Sequence, residues 1–121
     1  MFLKTKTVSE LTKIPISTLR FYERQQLIPK RYISRDNNNY RVYAEEVVPY
    51  LKRLSMLAST GFTIFDLQNL TSDAQNLTKE EQITFTEEKI QEITAMQNDL
   101  ESAKELLSKM VAESKKNDCV L

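Results

Sequence analysis

The sequence predicts a mainly α fold: a winged helix-turn-helix domain with a small β-hairpin wing, followed by a long C-terminal helix that requires a partner. Three observations predict it. Two short apolar-periodic segments meet at the tight turn Ile14-Pro15-Ile16, the arrangement of a helix-turn-helix. Two strand-like runs flank Asp36-Asn37-Asn38-Asn39, a composition suited to the positive φ values of a hairpin connection. After Thr78, a stretch of roughly 35 residues carries apolar side chains at helical spacing.

Phe2 to Lys6 is short and alternating, and reads as an extended lead-in against the domain. Thr7-Val8-Ser9-Glu10 has capping-box form and opens a first helix over about residues 8–13, ahead of Pro15. The second helix, over about residues 18–25, is the element the rest is arranged around. Ser17 offers a hydroxyl to cap its N-terminus, Leu19, Tyr22 and Leu27 are placed to pack inward, and Arg20 and Arg24 fall four apart on one face. Leu27-Ile28-Pro29 ends it. Lys30 to Tyr43 then reads as two strands, with Tyr40 and Val42 facing one way and Arg41 and Tyr43 the other. Lys30, Arg31, Arg35 and Arg41 interleave with Tyr32, Tyr40 and Tyr43, which favours a phosphate-gripping wing over an ordinary surface hairpin.

Val47, Leu51, Leu54, Leu57 and Ala58 recur at helical spacing over residues 45–60, with Pro49 early enough to be tolerated and Gly61 placed to end the helix. Thr63 with Asp66 resembles a cap, and Phe62 with Leu67 has the spacing of a hydrophobic staple on a helix reaching Leu70. After the polar connection over residues 71–78, Thr78-Lys79-Glu80-Glu81 repeats the capping-box pattern before a helix running to about Ser114. Ile90, Ile93, Leu100, Leu107 and Val111 form its apolar seam, with Met96, Ala103 and Met110 alongside and Gln97 and Lys104 interrupting. Such a stripe cannot be buried against itself, so a partner helix is required. The simplest partner is the same helix of a second chain; the alternative is a fold-back onto the front of the chain, where four short helices offer little apolar surface. The expected organisation is a DNA-binding domain over residues 1–76, a dimerisation helix over 77–115 and a flexible tail over 116–121.

The formal charge is zero, yet residues 1–60 carry 11 Lys and Arg against 5 Asp and Glu, while residues 61–121 carry 6 against 12. A basic front half suits a polyanion, and an acidic back half should face away from it. One cysteine and no histidine leave little for metal binding or acid–base catalysis, which disfavours an enzyme and implies no cofactor. No apolar run spans a bilayer, so a cytoplasmic protein without a membrane partner is expected. Cys119 lies beside Lys115 and Lys116, which favour its thiolate, although an exposed cysteine on a frayed tail is the simpler account.

Thr7-Val8-Ser9-Glu10-Leu11, Ser17-Thr18-Leu19-Arg20-Phe21-Tyr22-Glu23, Leu27-Ile28-Pro29, Asn39-Tyr40-Arg41-Val42-Tyr43 and Gly61-Phe62-Thr63-Ile64 with Leu67 follow one another over roughly the first 70 residues. In these motifs, their order and their spacing the chain resembles the MerR family of bacterial transcription regulators. Gln26 and Pro15 stand where the family usually has Gly, Asn39 where Gly is common, and Phe21 where Tyr is frequent. The resemblance implies that the long helices, through Ile90, Ile93, Gln97, Leu100, Lys104, Leu107 and Val111, pair as an antiparallel coiled coil in a homodimer. It also implies that the dimer binds double-stranded DNA at a pseudo-palindromic operator and distorts it so that RNA polymerase can engage the promoter. Ser17, Thr18, Arg20 and Tyr22 on the second helix and Arg41 and Tyr43 on the wing are the expected DNA contacts, with Arg31 and Arg35 in second rank. A coiled-coil adaptor using the acidic half, or an excision-type architectural DNA-binding protein, would share parts of this pattern. Metal-sensing relatives carry paired cysteines or histidines near the start of the long helix, where this chain has Thr78-Lys79-Glu80-Glu81-Gln82 and no soft ligand.

Overall fold

The computed structural model describes residues 1–71, 73 and 77–117. Strand β1 (Phe2–Lys4) leads into helix α1 (Thr5–Thr12), and helix α2 (Ile16–Arg24) follows the turn. A 3₁₀ turn at Lys30–Tyr32 enters strand β2 (Ile33–Arg35), which returns as strand β3 (Arg41–Ala44). Helices α3 (Val47–Ser59), α4 (Ile64–Leu70) and α5 (Lys79–Asn117) complete the order. The chain divides into two compact units, Met1–Gln82 and a second that begins at Ile83.

The lead-in is a full strand. The sheet has the order β1-β3-β2, all antiparallel, so β3 is central and the wing is three-stranded rather than a bare hairpin. Leu3, Tyr43 and Ile33 stand opposite one another across it and pack on the core. The expected alternation fails at one point: Val42 and Tyr43 are both buried, because the core takes Tyr43 while β1 and β2 flank Val42 on either side.

Both helix-turn-helix starts differ from expectation. α1 begins at Thr5 with Lys4 as its cap residue and no side-chain cap, so the Thr7–Glu10 capping box does not form. Instead Ser9 Oγ donates to the Ile14 carbonyl (2.5 Å) and Thr12 Oγ1 to the Val8 carbonyl (2.7 Å), which ties the end of α1 to the turn. α2 begins at Ile16 with Pro15 as its cap residue, which places Ser17 inside the first turn rather than at the cap. The Pro15 carbonyl accepts from the Thr18 and Leu19 amides (both 3.0 Å), and a proline at the entry loses no donor that a helix would use.

The turns need left-handed backbone at Lys13 (φ 63°), Gln26 (φ 60°) and Asn39 (φ 63°), and glycine meets the same need at Gly61 (φ 95°), just past the cap residue of α3. α4 is capped as read: Thr63 Oγ1 accepts from the Asp66 amide (3.0 Å) and the Asp66 carboxylate accepts from the Thr63 amide (3.1 Å). Thr78 and Glu81 form the same reciprocal pair at the start of α5, at 3.0 and 3.1 Å. Hydrogen bonding from Thr78 also holds the Glu81 carboxyl below its usual range.

In the first unit, Val8, Leu19, Leu27, Val47, Leu51 and Leu67 are almost wholly buried, so α1, α2, α3 and α4 share one core. Tyr50 on α3 adds a polar tie by donating its hydroxyl to the Leu27 carbonyl beyond α2. In the second unit, α5 continues for most of its 39 residues as a single helix. Its seam is exposed along its length: Ile93 is 40% and Leu100 68% accessible.

Candidate nucleic-acid interface

α2 is held by two faces. Leu19 and Tyr22 face the core, which fixes its rotation. On the other side Ser17, Arg20 and Arg24 are exposed and Thr18 is half-buried. Neither α1 nor α2 has an acidic residue in its first turn or a side-chain cap, so nothing opposes an anion at the positive end of either dipole.

The link between α2 and the wing is Glu23. Its carboxylate lies 3.0 Å from Arg41 on β3 and accepts a 3.3 Å hydrogen bond from the Tyr43 hydroxyl. This carboxylate therefore sets the wing's distance from the helix. Burial pushes the Tyr43 phenol above its ordinary value and Glu23 pushes the same way, while Arg41 opposes them. Arg41 Nε is buried and, among the described residues, is the one such side-chain atom without a hydrogen-bond partner. Arg35 stands directly opposite Arg41 in the sheet, so Glu23 also offsets the repulsion of two facing cations.

A groove of about 420 Å³ runs between the start of α1, α2 and the wing. Arg20, Tyr40, Arg41 and Tyr43 line it together with Lys4 and Lys6. Of the expected contacts, Arg20, Arg41 and Tyr43 thus come together, while Ser17 and Thr18 sit on the first turn of the same helix. Tyr43 is 1% and Tyr22 7% accessible, so both are core residues, and of the two it is Tyr43 that lines the groove. Arg35 holds the wing tip by donating to the Asn39 carbonyl (3.0 Å). The Asp36 carboxylate completes that tip by accepting from the Asn38 and Tyr40 amides, both at 2.9 Å.

Arg31 lies elsewhere. Its guanidinium sits 4.6 Å over the Tyr32 ring and 3.9 Å from Asp73, and it lines a second concavity with Lys30 and Gln68, which Glu23 and Arg41 also border. Sequence reasoning missed Lys4 and Lys6, which are brought in by the pairing of β1 with β3, and it gave Glu23 no role. Glu23 falls one residue after Tyr22 on α2, and its carboxylate among so many cations was the available signal.

Residues 4–43 match the family described as MerR family regulatory protein. This segment is similar to the MerR regulatory domain. A curated relative, the HTH-type transcriptional repressor CarA of Myxococcus xanthus, is 39% identical over 57 residues; the match covers 47% of this chain and 19% of CarA, so the chain spans about a fifth of that protein's length. The crystal structure of HiNmlR, a MerR family regulator lacking the sensor domain, bound to promoter DNA, is similar in fold with a TM-score of 0.73 at 23% identity, over 99% of this chain and 98% of that one. A MerR family transcriptional regulator from Bacillus thuringiensis gives a TM-score of 0.61 at 22% identity, over 90% of this chain and 99% of that one. At these identities the structural likeness establishes the fold. The MerR match covers α1, α2 and the wing up to Tyr43, the segment that carries Arg20, Glu23 and Arg41. Among the described residues no helix is long and apolar enough to cross a membrane, and no group of three potential ligands gathers for a metal ion. Cys119 lies outside the described residues.

Proposed function

We propose that this chain is a sequence-specific DNA-binding transcriptional regulator that acts as a homodimer. The observation that carries the reading is the basic groove between α2 and the wing, built on a segment similar to the MerR regulatory domain. α2 enters the major groove with Ser17, Thr18 and Arg20 foremost. The wing, with Arg41 held by Glu23 and Arg35 holding the tip, lies along the adjacent phosphates. Tyr22 and Tyr43 act mainly as supports, the first from the core and the second through Glu23.

Dimerisation falls to α5. Ile90, Ile93, Leu100, Leu107 and Val111 are exposed there, and a helix with that much accessible apolar surface gains from an identical partner. Gln97 and Lys104 interrupt the seam and fix its register. An antiparallel coiled coil presents two domains to a pseudo-palindromic operator. Phosphate contacts by both wings then supply the energy to distort it, through which RNA polymerase is controlled. HiNmlR, bound to promoter DNA, is the similar structure that points the same way.

The test is selection of genomic fragments by the purified protein at near-physiological salt, followed by footprinting of the best fragment. An inverted repeat protected at a promoter is expected. Recovery of no preferred sequence overturns the regulator and leaves the coiled-coil adaptor as the better account.

A further inference from the structure

Lys4 and Lys6 stand at the N-terminus of a helix, where a cation is disfavoured by the dipole. Both side chains are exposed, and neither they nor Arg20 has an ion-pair partner among the described residues. All three line the same groove. Lys4 is not on a loose end: its backbone is paired with Val42 in the sheet, one residue from Arg41. The fold therefore holds two lysines against the grain of α1 and places them on a concavity that α2 borders through Ile16 and Arg20.

We infer that this groove seats a phosphate of the DNA backbone, with Lys4 and Lys6 gripping it from the α1 side and Arg20 facing it from α2. A bound phosphate, with its single negative charge, would offset part of the positive charge that the three unpaired cations share and meet the uncapped start of α1, turning an unfavourable charge placement into a favourable one. Arg41 contributes less here because Glu23 already engages it. Since phosphate carries no sequence information, the two lysines set affinity and the placement of α2 without choosing bases.

The inference rests on the DNA-binding reading above, and the experiment separates the two. The operator recovered by selection and a scrambled duplex are titrated with wild type, Arg20→Gln, Lys4→Gln, Lys6→Gln and the double lysine variant over a salt series. Each lysine change should lower the slope of log affinity against log salt, by less than one because both engage the same phosphate. The double variant should lose about one in all, equally on both duplexes, so that discrimination is unchanged. Its melting midpoint should hold or rise, because cations leave a helix N-terminus.

An unchanged slope in the double variant, with Arg20→Gln still lowering it, overturns this inference alone. A loss confined to the operator overturns it in favour of base reading by the lysines. A lowered melting midpoint assigns them to folding and overturns it too. Wild type that binds neither duplex overturns the regulator and this inference together.

Discussion

Glu23 shows how a single side chain turns two elements into one surface. With a fifth of its side chain accessible, it satisfies Arg41 and the Tyr43 hydroxyl at once. Glu23→Ala should destabilise the first unit by about 1–3 kcal/mol, because it strands a partly buried guanidinium and a buried phenol; urea unfolding measures it, and an unchanged midpoint would refute the tie. Gln26 is the opposite case, a residue in left-handed backbone (φ 60°) that glycine adopts without strain. Gln26→Gly should be neutral or stabilising by up to about 1 kcal/mol, strain relief being offset by a freer unfolded chain. The positions of these turns were only partly legible. The unusual residue at Gln26 was visible, but the first turn places its positive φ at Lys13 and not at Pro15, since proline's ring forbids it. Tyr50 supplies a pH signature. Burial pushes its phenol up to about 12 from the ordinary 10.0, so the unfolded chain releases this proton first. Tyr50 therefore contributes its stability in full below about 10 and loses it as pH rises toward 12. Tyr50→Phe should show a shallower decline in that window, with Tyr43, also raised, leaving a residual slope.

Among the elements, those specified by local chemistry were the ones that could be read. Thr63 with Asp66 and Thr78 with Glu81 form reciprocal caps because each needs only residues three apart. Thr63→Ala should cost about 1 kcal/mol, with the loss read from the melting midpoint of the first unit. The starts of α1 and α2 were misread for a related reason. Good cap residues were present at Thr7 and Ser17, but β1 pairing and Pro15 began both helices earlier, so tertiary context overrode propensity. The third strand was likewise hidden, since Phe2–Lys4 is strand only through its partner β3. The exposed seam of α5 was fully visible as a period. Leu100→Asp with Leu107→Asp should convert a dimer into monomers, and sedimentation at micromolar concentration would expose the error if the species did not change.

For the whole chain, the charge division between residues 1–60 and 61–121 has a structural reading only within the first unit, where Lys4, Lys6, Arg20 and Arg41 meet in one groove. Composition located the basic half, but not the groove, because the sheet that assembles it depends on long-range pairing. The same limit applies to the ligand: sequence alone did not decide whether Arg20 suits a base edge or a phosphate. The most direct measurement is therefore a titration of the selected operator against a scrambled duplex of equal length at near-physiological salt, with the stoichiometry determined at saturation. The account predicts two chains per operator and a preference for it of about a thousandfold or more. Equal affinity for the two duplexes, or a single chain per operator, would contradict it.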